Sequence, residues 1–357
     1  MKKTLIRVFS LLLALVLLLG MLTACGKYSP RKSTEAEATP ILTLGEDTVN
    51  FEVLYAFFRS RCEKIADFSA DYFKGAEAEA RYNSVLADAI SDISEIYALL
   101  DACRAVGIDP YSDDVEDAIV SQLKLTVEGG ALEDLHFPGG DYDDFLAYIR
   151  ENYHMNDAVA RLMIRYAVCE ELLIDYYENE SRYTDDDVTA FFMSDACIRL
   201  VWISRNESDG GFSGADPNDV REFNLEKIDS ARNYLLLGTT EGDNRACQLT
   251  TSPTPITHIG RYTLDSAQYG DLIATAFALP IGGVSDVMDL GAEGFHVLKR
   301  IEKDPEELKK NAVFNSLVDI YLYDTLMGDV MQRAATLRAS ATYTDAYHSL
   351  TAESFFN

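Results

Sequence analysis

Apolar residues recur at helical spacing over most of the first 195 positions, interrupted by short polar or glycine-containing breaks. Phe51, Leu54, Phe58, Cys62 and Ile65 form a first stripe. Before it, Ile41–Leu44 and Thr48–Asn50 flank the turn Gly45-Glu46-Asp47, which predicts a short hairpin with Asn50 as the N-cap of the following helix. Tyr82, Leu86, Ala89, Ile93, Ile96, Leu100 and Cys103 make a longer stripe that stops at Gly107. Ser112-Asp113-Asp114 caps a helix through Leu123, and Phe145, Tyr148 and Ile149 mark another after the loop 129–140. Residues 158–177 predict one more long helix, and Thr184-Asp185-Asp186-Asp187 opens a short one in capping-box style.

The pattern then changes. Residues 197–204, CIRLVWIS, read as a buried strand, and a helix follows from Asp216-Pro217 to Leu237. Residues 238–257 carry little regular pattern and are expected to be a loop. In 259–301 an apolar helix (Leu272, Ile273, Ala276, Phe277) runs into a Gly282-Gly283 turn, a β-type run at 284–288, a Gly291–Gly294 turn and the strand Phe295-His296-Val297-Leu298. A helical region from Asp304-Pro305 follows, with Val313, Leu317, Ile320 and Leu326 on one side, and the tail 343–357 is less regular. The expected fold class is α+β: a mostly helical domain built from N- and C-terminal segments, with a small α/β domain inserted between them. Neither helical flank can bury its apolar stripe alone.

The N-terminus adds a compartment. Lys2, Lys3 and Arg7 precede nine consecutive apolar residues, 11–19. That run is too short for a spanning helix of about 20 residues and suits the apolar region of a signal peptide. It ends in Leu22-Thr23-Ala24-Cys25, which resembles the lipobox of bacterial lipoproteins and implies a diacylated Cys25 as the mature N-terminus. The expected layout is a signal peptide at 1–24, a lipidated flexible tether at 25–40, a helical domain at 41–195, the inserted domain at 196–303 and a completing helical segment at 304–357. The polar, proline-containing tether would reach about 20 Å as a random coil. A formal charge of −28 repels phosphate backbones, so nucleic acid is not an expected partner, and anionic lipid would not hold the chain by charge.

The wording of 276–300, A-F-A-L, then G-x-V-S-x-V, then G-F-H-V-L-K, resembles the last half of a parvulin-type peptidyl-prolyl isomerase domain. Together with the helical flanks and lipobox, the chain resembles extracytoplasmic foldases of the PrsA/SurA type. The resemblance implies a membrane-anchored protein that binds exported, unfolded polypeptides and needs no cofactor or metal. It assigns the last-strand histidine to His296 as the catalytic candidate. Trp202, Tyr262, Leu272 and Phe277 are the candidate substrate-binding residues, with Leu272 where the family usually places a phenylalanine. The first strand departs from the family: Leu200-Val201-Trp202-Ile203-Ser204 offers no histidine in any register. Cys247 stands loosely near the family's cysteine position and reads better as a small buried hydrophobe.

Other chemistry is faint. The histidines are scattered without H-E-x-x-H spacing, and there are no cysteine pairs at zinc spacing, no G-x-S-x-G and no phosphate-binding glycine loop. Apart from Cys25, Cys62, Cys103, Cys169, Cys197 and Cys247 form an odd set, which argues against a complete disulfide framework. Three readings follow: a foldase or chaperone with weak or lost isomerase activity, an active peptidyl-prolyl isomerase, and a non-catalytic envelope scaffold or binding lipoprotein. The sequence leaves clients and oligomeric state open.

Overall fold

The structure is a computed structural model of the 357-residue chain and describes residues 28–65, 68–69, 71–129, 137, 139–179, 183–205, 217–264 and 266–356. Cys25, the lipobox and His136 lie outside the described residues. The class is α+β, mostly helical with two small antiparallel sheets. The chain divides into two compact units: the described residues through Asp175 together with Asp329–Asn357, and Tyr176–Gly328. These divisions fall at 175/176 and 328/329, where sequence pattern placed them at 195/196 and 303/304. The reason is that Val188, Phe191 and Phe192 pack with Leu317, Val318 and Ile320, which draws those segments into the second unit.

In the first unit, β1 (Pro40–Leu44) and β2 (Asp47–Asn50) form the expected hairpin. Asn50 stands at the N-cap position of α1 (Phe51–Glu63), although its side chain makes no capping bond. The long stripe is α2 (Ala78–Ala105), which ends where Ile108 N–H bonds back to the Cys103 carbonyl just past Gly107. Arg104 at its end holds Asp47 of the hairpin through two bonds of 2.8 and 2.7 Å. Then come α3 (Asp113–Gly129), α4 (Tyr142–Tyr153) and α5 (Asp157–Asn179). Asp141 and Asp144 make a capping box at the start of α4.

Two parts of this unit differ from expectation. The irregular tail is built into the fold: β7 (Thr342–Tyr343) pairs with β1, giving the sheet order β2-β1-β7, and Phe355 is fully buried. The stretch expected to be a free tether is, from Tyr28 on, tied to the fold by the buried Tyr28 and by hydrogen bonds from Arg31 and Ser33. Tyr28 is 2% exposed in a cluster with Val115, Ile119, Leu123 and Tyr142, and its hydroxyl donates to Glu128 at 2.9 Å. A tyrosine supplies enough buried ring area and a polar tip to dock a segment that has no periodicity of its own.

The second unit holds α6 (Asp185–Met193), where Thr184 and Asp187 make the expected capping box. Its centre is a four-stranded antiparallel sheet of β3 (Ile198–Arg205), β4 (Ile256–Ile259), β5 (Met288–Asp289) and β6 (Phe295–Ile301), ordered β4-β3-β6-β5. β3 pairs with β6 from Arg199↔Ile301 to Arg205↔Phe295. Side chains alternate between faces. Val201, Ile203, Phe295 and Val297 meet α7 (Pro217–Leu236) and α8 (Thr240–Cys247). Ile198, Leu200 and Leu298 meet Leu272 and Ala276 of α9 (Ser266–Ala278). The stretch expected to be loop, 238–257, contains α8 and the start of β4 (Ile256–Ile259). The β-type run at 284–288 narrows to a single bridge, Val284↔Lys299, and the short β5 (Met288–Asp289). The strand breaks because the buried Ser285 hydroxyl, rather than a carbonyl, takes the Leu298 N–H at 3.0 Å.

From Asn311 the chain forms one long helix, α10 (Asn311–Ala339), which contributes to both units. Its later part lies on α2, with Arg333 bonded to Asp101 at 2.8 Å and Arg338 to Ser91 at 3.1 Å. A short α11 (Asp345–His348) follows β7.

Candidate functional site

The candidate site is the α9-facing surface of β3 and β6 at the Ser204/His296 end. His296 is the residue opposite Ser204, and Trp202 sits two residues back on the same face of β3, diagonal to His296. The Trp202 indole N–H donates to His296 Nδ1 at 3.0 Å. The other ring nitrogen, Nε2, carries the proton and donates to the Glu293 carbonyl at 3.1 Å. That carbonyl is aimed by the turn before β6, where Gly294 takes φ 82° and ψ −151°, a conformation that only glycine adopts without strain. Tyr269 of α9 closes the third side, with its ring 6.2 Å from Trp202 and 6.4 Å from His296, both edge-on. Its hydroxyl donates to the Glu293 carboxylate at 3.0 Å.

His296 is 4% exposed. Burial depresses its pKa below the ordinary histidine value, with the Glu293 contacts opposing. The neutral imidazole is therefore the resident form, fixed as the Nε2–H tautomer by its two partners. A depressed folded-state pKa means that His296 contributes stability in full above the unfolded value near 6.5, and this is lost as pH falls through the folded value. Each unit of depression corresponds to about 1.4 kcal/mol. The thermal midpoint of the second unit is accordingly expected to drop more steeply between pH 7 and pH 5 in the wild type than in His296→Gln. Parallel pH profiles in scanning calorimetry would refute a buried neutral histidine.

The other sequence candidates are placed apart. Leu272 is fully buried between α9 and the sheet, so it packs the core and offers no surface to a ligand. Phe277 is at the far end of α9, with the Arg261 guanidinium 4.7 Å above its ring and its carbonyl accepting from Arg300. Tyr262 follows β4, at the opposite end of the sheet from His296, and its N–H donates to Asp324 of α10 at 2.8 Å. Gly260 lets the carboxylate approach, since a Cβ there would lie 2.5 Å from it and force Asp324 to shift. Cys247 packs half-buried on the α7/α8 face, on the side of the sheet opposite His296. The structure thus joins Trp202 to His296, buries Leu272 in the cluster that Trp202, Tyr269 and Phe277 pack against, and puts Tyr262 at the other end of the sheet. Sequence reasoning missed Tyr269, although it lies three residues before Leu272 on the same apolar stripe of α9.

A second buried polar group in this unit is structural. Arg199 donates to Glu307 at 2.7 Å, and His258 Nε2 lies 3.4 Å from the other Glu307 oxygen. Burial lowers the His258 pKa as well. The remaining cysteines in the described residues, Cys62, Cys103, Cys169 and Cys197, are buried free thiols, and burial pushes Cys62 up to about 11 and Cys197 up to about 12, which removes the reactive thiolate of those two. Among the described residues no helix is long and apolar enough to cross a membrane.

Solved structures to which the chain is similar include PrsA foldases and peptidyl-prolyl isomerases from several bacteria. PrsA from Bacillus subtilis aligns over 72% of this chain and 87% of its own at 14% identity, with a TM-score of 0.26. The foldase protein PrsA from Lactococcus lactis aligns over 86% and 96% at 13% identity, with a TM-score of 0.25. The peptidylprolyl isomerase PrsA from Bacillus anthracis aligns over 71% and 99% at 16% identity, also at 0.25. No protein-family model and no curated protein matches the chain.

Proposed function

We propose that this chain is an extracytoplasmic foldase, anchored through a diacylated Cys25, that binds exported unfolded polypeptides and carries a parvulin-like domain of weak or lost isomerase activity. The observation that carries the catalytic part is the state of His296. Both ring nitrogens are occupied within the protein, by the Trp202 indole and the Glu293 carbonyl, and the ring is buried. Rotation about an X-Pro bond faces a barrier of about 18–20 kcal/mol, set by amide resonance. Lowering it takes a dry apolar pocket and hydrogen-bonding groups aimed at the twisted amide. Trp202, Tyr269 and Met288 beside His296 keep an apolar surface that a proline ring can touch. The hydrogen-bonding capacity of His296 is spent on the fold instead. The anchor rests on the lipobox wording, and the client class on the resemblance to PrsA/SurA-type foldases.

The test pairs two assays on the purified full chain. On a proline tetrapeptide, turnover is expected to be about 10- to 1000-fold below that of an active parvulin, the range associated with losing positioned catalytic groups. On a denatured model protein, the chain is expected to suppress aggregation. Turnover equal to an active parvulin would overturn the loss of activity and favour a working isomerase. Unaltered aggregation would overturn polypeptide binding and favour an envelope scaffold.

A further inference from the structure

If Cys25 carries lipid, the docked position of Tyr28 limits how far the first unit can stand from the membrane. Tyr28 is not loosely attached. Its ring packs edge-on against Tyr142 at 5.1 Å, its hydroxyl donates to Glu128, and its carbonyl accepts from the buried Arg161 guanidinium. The next residues are held too: Arg31 N–H donates to the Asp157 carboxylate, and the Ser33 hydroxyl to Glu52. Peeling the segment away would leave Arg161 and Asp157, both nearly inaccessible, without those partners. Only three peptide steps separate Cys25 from the docked Tyr28, and covalent geometry limits them to at most about 11 Å. A headgroup layer begins where the acyl chains end, so this leash leaves no room for a stand-off.

We infer that the anchored protein rests with one corner of its first unit against the lipid headgroups: the end of α3 at Glu128, the start of α4 at Tyr142 and the start of α5 at Asp157. The partner is the membrane surface that holds the anchor, and the inference rests on the lipid-anchor reading above. Lys32, exposed in the docked segment, puts a positive charge at this corner, while the neighbouring Arg31 guanidinium is paired with Asp143 at 2.8 Å. α3 leads away from the corner. Its exposed residues Lys124 and Asp113 are eleven positions apart on one face, about 16 Å along the axis.

The experiment places a single fluorophore at Lys124→Cys or Asp113→Cys, each with Cys247→Ser, in the lipidated full chain. The protein is reconstituted in phosphatidylcholine/phosphatidylglycerol vesicles that contain a headgroup-labelled quencher lipid. Quenching is expected to be at least threefold stronger at position 124 than at 113. A 20-residue Gly/Ser spacer inserted between Lys27 and Tyr28 is expected to abolish the difference. Equal quenching at the two positions, in protein that stays on the vesicles, would overturn the inference and leave the anchor intact. Retention on vesicles unaffected by Cys25→Ser would overturn the anchor reading itself, and the inference with it.

Discussion

Phe355→Ala is expected to destabilise the first unit by about 3–5 kcal/mol, the range for truncating a fully buried phenylalanine. Phe355 is 0% exposed, two residues from the end of the chain. Its ring stacks on Phe58 at 4.0 Å and lies 5.6 Å from Phe51, 6.4 Å from Tyr55 and 6.3 Å from Tyr82. Its carbonyl accepts from Arg59 at 3.1 Å, so the backbone is fixed along with the ring. The neighbours belong to two long helices that cannot collapse into the vacated space, which puts the cost in the upper half of that range. Phe356 is the internal control. It is 39% exposed, lies under the Arg59 guanidinium at 4.8 Å and meets the Phe68 and Phe73 rings at 5.7 and 5.9 Å. Half-exposed, it has less to lose, and Phe356→Ala is expected to cost about 1–2 kcal/mol. Urea unfolding of the full chain, followed by hydrogen exchange in α1 and α2, separates the two. Similar small losses for both variants would mean that the tail is not part of the core.

The contrast between adjacent phenylalanines shows where sequence pattern stops informing. Elements that bury a stripe along their own length announce themselves: α2 by its recurring apolar positions, β6 by the run Phe295-His296-Val297-Leu298 after a glycine turn, α9 by Leu272, Ile273 and Ala276. The β1–β2 hairpin is equally visible, because its turn and its strands are local. Elements stabilised by remote partners are silent. β7 is two residues long and exists only because β1 offers it an edge. α8 buries only Gly242 and Ala246, so it has no apolar period to detect, and its Thr239 cap was the one local signal. Tyr28 reads as part of a polar linker because Arg161 and Asp157, which receive its segment, lie some 130 positions on and look like ordinary charges on a helix. The candidate site divides the same way. Trp202 and His296 are visible singly, but their hydrogen bond depends on the β3–β6 register, which no pattern along either strand specifies. Leu272 occupies a position inherited from family wording, and only packing shows it to be core.

Asp157→Ala is expected to be as costly as the loss of Phe355, for an electrostatic reason. Asp157 opens α5, where a carboxylate is favoured by the helix dipole, and it is 5% exposed. It accepts from Arg161 Nε at 3.0 Å, from the Tyr142 hydroxyl and from the Arg31 backbone N–H. Burial and this carboxylate together raise the Tyr142 pKa, so the phenol remains a donor at every working pH. Removing the carboxylate leaves a guanidinium with 7% of its side chain exposed and no counter-charge, and breaking such a pair costs about 3–5 kcal/mol. The pair itself is not a large net source of stability, because both ions were desolvated to form it. Asp157→Ala with Arg161→Met is therefore expected to be less destabilised than Asp157→Ala alone, although Arg161 no longer serves the Tyr28 carbonyl. That residual loss has a local signature: residues 28–33 should become protease-sensitive in both variants while α2 stays protected from hydrogen exchange. If the double variant were the less stable of the two, the unpaired charge would not be the source of the cost. If 28–33 stayed protease-resistant in both, Asp157 and Arg161 would not be what docks the segment, and the short leash from Cys25 would lose its physical basis.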